Sequence, residues 1–140
     1  MSGLTQQRPI TGGTTAGYTT QMSLVLAVAF ALSAAHTTYG FIVGIGDPSF
    51  TVTSPVAWVF YALGFTAAVV ARSRRRPVQV AVVAYLGVLL AVAVFFYPTT
   101  FTPRQQTTFG WFENDVYTGL LMVALYLGVL QLRRVTSTPS

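Results

Sequence analysis

Arg72-Ser73-Arg74-Arg75-Arg76-Pro77 decides the fold. The stretch holds half of the eight basic residues of this 140-residue chain, all of them arginine, and lies between two apolar runs. Guanidinium groups at that density cannot rest in hydrocarbon, so the stretch reads as a tight aqueous turn joining two membrane spans. By the positive-inside rule the turn faces the cytoplasm, and that orients every other segment.

Composition agrees. With 53% hydrophobic and 8% charged residues and a mean hydropathy of +0.60, the chain belongs to the membrane class. A net charge of +5 would point to nucleic acid in a soluble protein, but here the arginines flank apolar spans, and no nucleic-acid partner is expected. The chain has no cysteine, which excludes disulfides, thiol redox chemistry and thiolate metal sites.

Outward from the turn, four spans are predicted. Residues 1–21 are polar, rich in Gly and Thr, and read as a disordered cytoplasmic tail. Span 1 covers about 22–46 and stops at Asp47-Pro48. Ser54 as N-cap and Pro55 at the first helical position open span 2, about 54–71. Pro77 opens span 3, about 78–96, which Pro98 ends. Span 4 covers about 116–132 and closes on Arg133 and Arg134, before a tail at 135–140. The expectation is an all-α, four-helix transmembrane bundle, residues 22–134, in the plasma membrane. The N-terminus, the turn with Arg72, Arg74, Arg75 and Arg76, and the C-terminus with Arg133 and Arg134 share the cytoplasmic side, and only Arg104 lies outside.

Between spans 3 and 4, residues 97–115 read as a long aromatic outer loop. A connection of that length usually has a task. Phe101, Phe109, Trp111 and Phe112 with Glu113 and Asp115 make it a candidate docking surface, while Glu113-Asn114-Asp115 read as the cap of span 4.

Small residues are needed where spans meet in lipid, and Gly40, Gly44, Gly64, Gly87 and Gly119 are the candidates. Gly40 and Gly44 form a GxxxG pair one helical turn after His36, the only histidine. His36 is the candidate intramembrane polar site, about 16 Å in from Asp47 by helical rise. No acid is expected at its depth, which weighs against a proton relay. There is no HExxH, P-loop or GxSxG motif. No catalytic residue, cofactor or metal site is expected.

Phe109-Gly-Trp-Phe-Glu-Asn-Asp-Val-Tyr117, running into Gly119-Leu-Leu-Met122, resembles a recurrent stretch of uncharacterised small four-span membrane proteins of actinobacteria. That resemblance implies a four-span fold and no activity. The chain differs from small multidrug-resistance transporters in having no glutamate in its first span, where only His36 stands. The expected function is a non-catalytic accessory or scaffolding subunit of a larger membrane complex, in one version a respiratory one, with membrane lipids and other subunits or a second copy as partners. The alternatives are a self-associating transporter or channel using His36, and a haem- or quinone-associated redox protein.

Overall fold

Each apolar run folds as a helix, the conformation in which a segment satisfies its own backbone hydrogen bonds. The computed structural model describes residues 15–47, 50–100 and 108–136. It contains α1 (Thr15–Val43), α2 (Pro55–Val70), α3 (Arg76–Ala91) and α4 (Thr108–Thr136). α3 runs on through a π-helical turn, Val92–Phe96, and a 3-10 turn, Tyr97–Thr100. Among the described residues there is no strand, and the protein is all-helical. Three stretches, Gly17–Val43, Arg76–Thr100 and Gly110–Arg134, are long and apolar enough to cross a membrane, and Pro55–Val70 is a shorter apolar helix.

Several boundaries differ from the sequence reading. α1 begins at Thr15, so the last part of the expected tail is helical, and residues 1–14 lie outside the described residues. α1 also stops at Val43, earlier than expected, because Gly44 takes the left-handed conformation at φ 69° and the amides of Ile45 and Gly46 both return to the Gly40 carbonyl at 3.0 Å. The GxxxG pair therefore ends a helix, and a Cβ on Gly40 would meet Gly46 of the same turn, with no other span within 4 Å among the described residues. Ser54 and Pro55 open α2 as the sequence predicts. The largest difference is α4, which begins at Thr108. Glu113, Asn114 and Asp115 thus lie inside the helix and do not cap it, since nothing from Thr108 to Asp115 breaks a helix. Phe101 and Arg104 of the expected loop lie outside the described residues.

The helices pack in the order α2, α1, α4, α3, and α2 scarcely meets α3. The core lies along α1 and α4, where Met22, Leu26, Ala29 and Phe30 pack with Tyr117, Leu121 and Ala124. On α4 the buried positions Gly110, Asn114, Tyr117, Leu121, Ala124, Gly128 and Gln131 alternate steps of four and three, one inward stripe. Two glycines let backbones approach. A Cβ on Gly64 would fall 2.2 Å from the buried Phe30 ring, and one on Gly128 would fall 2.7 Å from Val83 Cγ2. Gly87 and Gly119 have nothing within 4 Å of that position and do not act as packing sites among the described residues.

One end of the bundle gathers the arginines. Arg72 Nε donates to Ser23 Oγ at 3.1 Å, tying the turn to α1. Arg134 donates to the Tyr18 hydroxyl at 3.2 Å and lies 4.4 Å over its ring, joining the end of α4 to the start of α1. Within the turn, the buried Gln79 amide donates to the Ala71 carbonyl at 2.9 Å and to the Ser73 carbonyl, which satisfies groups left open where α2 stops.

Candidate functional site

At the opposite end, α1 and α4 bring His36 and Glu113 together. His36 lies two turns before the end of α1, about 10 Å by helical rise, shallower than the sequence reading placed it because α1 stops early. Glu113 lies in the second turn of α4. Extending α4 back to Thr108 carries this acid down to the depth of the histidine. His36 Nδ1 stands 3.9 Å from Glu113 Oε2, with side chains 21% and 7% exposed. The expectation that no acid shares the histidine's depth is therefore corrected. The separation is too long for a direct hydrogen bond and suits a bridging water or a small side-chain rotation.

The turn of α1 around His36 is held from α2. The Tyr61 hydroxyl donates to the Ser33 carbonyl at 3.1 Å, so its oxygen accepts from Thr37 Oγ1 at 2.7 Å. Ser33 and Thr37 flank His36 in the chain, and this bracket ties its turn of α1 to α2. Beneath the pair Phe30 is fully buried, with Phe60, Phe65 and Tyr117 at ring-centroid distances of 5.5, 6.1 and 6.2 Å. Three further buried polar atoms follow Glu113 on α4: Asn114 Oδ1, Tyr117 Oη and Thr118 Oγ1 have no hydrogen-bond partner among the described residues.

Above the pair is a cavity of about 60 Å³, lined by His36, Thr37, Gly40, Asp47, Tyr97 and Gly110 among others. That volume admits a few waters, since one needs roughly 10–15 Å³, and is far below the roughly 300–1,000 Å³ of ligand pockets. A haem or a quinone ring does not fit it. Among the described residues no group of three or more His, Asp or Glu could hold a metal ion.

The remaining candidates separate from this site. Trp111, Phe112 and Asp115 are exposed on α4, whereas Glu113 is buried and leaves the proposed docking set. Phe109 lies in the same helix. Arg74, Arg75, Arg76, Arg133 and Arg134 are exposed at the far end. Sequence reasoning missed Glu113 as His36's neighbour, Tyr61 as its bracket and Gly128 as a packing position. The signal was the inward stripe of α4, obscured because Gly110, Asn114 and Gln131 do not read as apolar.

No protein-family profile matches this chain, and no curated protein or solved structure matches it.

Proposed function

We propose that this is an integral membrane protein with four spans and both termini on the cytoplasmic side, acting as a non-catalytic, proton-linked accessory subunit of a larger membrane assembly. The observation that carries the reading is the His36–Glu113 separation of 3.9 Å at the buried seam between the two central helices. In a low-dielectric site an acid and an imidazole can exist as a neutral pair or as an ion pair, with desolvation opposing their attraction. A proton entering or leaving changes the charge at this seam, and a partner in the membrane can sense that change. Ionisable groups at such depth mark proton and ion pathways by default.

The cavity opens on His36 from one end and has room for a few waters. On the other side Phe30, Leu26, Leu86 and Leu121, all fully buried, close the seam, so a single copy supports proton binding better than flow through. The arginine turn and the end of α4 at one end of the bundle support cytoplasmic termini. α2 rises only about 24 Å over its 16 residues, and reaches across with its flanking loop residues.

Infrared difference spectroscopy of the chain in lipid membranes tests the reading. A carboxyl band that titrates with pH is expected, absent in Glu113→Gln and moved by at least one pH unit in His36→Gln. If the titration is the same with and without His36, the two groups are not linked and the proposal fails. Purification in mild detergent tests the subunit part, which a lone monodisperse chain without a co-purifying protein would remove.

A further inference from the structure

Between α2 and α3 the bundle is open. The gap is an apolar groove of about 300 Å³, lined by Leu63, Ala67 and Val70 on α2 and by Val78, Ala81 and Tyr85 on α3, among others. On each helix these positions are spread over seven residue steps on one face, about 10 Å of rise. The groove runs from Val70 and Val78, beside the connection between the two helices, towards the middle of the span, and that connection is the arginine turn.

We propose that this groove holds one anionic phospholipid, an acyl chain lying between α2 and α3 and its phosphate on the guanidinium groups of Arg74, Arg75 and Arg76. The proposal rests on the membrane-spanning reading and is independent of the His36–Glu113 pair. Three observations converge on this occupant. The groove is apolar and open to the side, the geometry of a hydrocarbon chain entering from the bilayer. Arg74, Arg75 and Arg76 are exposed at its mouth, while Arg72 is tied back to Ser23. The chain has only three acids, and Asp47, Glu113 and Asp115 all belong to the opposite end of the helices, so none neutralises the turn. Clustered arginine beside a gap between spans is the arrangement that recognises a phosphate headgroup, with about 1 kcal/mol of attraction to an anionic leaflet for each basic residue. A second copy suits the groove less well. Two chains meeting there about an axis along the membrane normal would set their arginine turns side by side, like charge against like.

The test is native mass spectrometry of the purified full chain with phosphatidylglycerol or phosphatidylcholine of identical acyl chains, added after purification so that topology does not enter. The unsubstituted chain is expected to retain one phosphatidylglycerol in preference to phosphatidylcholine. Replacing Arg74, Arg75 and Arg76 by Gln weakens phosphatidylglycerol retention on the order of a hundredfold, about fivefold for each charge removed. Ala81→Trp fills the groove from an exposed position and leaves the arginines in place; it abolishes retention while the circular dichroism spectrum stays unchanged. Equal retention of the two lipids by the unsubstituted chain overturns the proposal. So does undiminished phosphatidylglycerol binding by Ala81→Trp, which reduces the effect to surface charge. In this cysteine-free chain, a disulfide-linked dimer formed in membranes by Ala81→Cys would assign the groove to a second copy instead.

Discussion

α1 and α4 are far apart in the chain and pack along each other, whereas α2 and α3 are joined by a tight turn and scarcely touch. The contrast shows what decides adjacency when lipid is the solvent. A short connection brings two helices near each other, but it supplies no force to close them, since lipid chains solvate an apolar flank as well as another helix does. Shape supplies it. Between α1 and α4 Met22 comes down on Gly128, Phe30 meets Tyr117 edge-on, and Leu26 joins Leu121 and Ala124 in one buried cluster; each end of the seam is finished by polar groups, Arg134 with Tyr18 and His36 near Glu113. α2 uses Gly64 on Phe30 of α1, and α3 turns its buried Val82 and Leu86 into the core that α4 shares. Each has spent its best packing face before reaching the other.

The contrast can be broken by adding bulk. Gly128→Leu drives a side chain into Val83 and Met22, and we expect it to cost about 3 kcal/mol or more in reversible unfolding followed by circular dichroism in detergent. Ala81→Leu, placed in the open groove, changes stability by less than about 0.5 kcal/mol. Equal costs at the two positions would mean that the α2/α3 flank is as closed as the central seam. A smaller effect sharpens the role of the turn. Gln79→Leu leaves the Ala71 and Ser73 carbonyls without their donor and costs about 1–2 kcal/mol, read in the same assay; no change would show that water satisfies them as well. The smallest effect has the opposite sign. Gly87→Ala meets nothing within 4 Å and stabilises α3 by up to about 1 kcal/mol, so a loss of stability there would place a close neighbour where none is described.

How far the residues could be read in advance depends on the range of the forces involved. Ser54-Pro55, Pro77 and the arginine turn act locally, through backbone geometry and the cost of burying charge; α2 starts where Ser54-Pro55 predict, and α3 starts at Arg76, slightly earlier than Pro77 predicts, so the last arginine of the stretch is already helical. The start of α4 was misread because Glu113, Asn114 and Asp115 make a good N-cap when judged by residue type alone. The burial of Glu113 and Asn114 and the continued inward stripe settle the helix from Thr108. By residue spacing Gly44 reads as a packing glycine, whereas its positive φ makes it a helix terminator, a role that depends on the carbonyl of Gly40 and on Gly46 beyond it.

The sequence by itself determined the helices and their apolar length: runs this apolar, bounded by proline and clustered arginine, form α-helices that pair their own backbone groups, and three of the stretches are long and apolar enough to cross a membrane. Which helices pair, which glycines are squeezed, and that Glu113 comes within 3.9 Å of His36 were decided only by the tertiary structure. Those outcomes depend on fit between surfaces remote in the chain, and a single residue's offset in the start of a helix turns its side chains by about 100° and changes which of them meet.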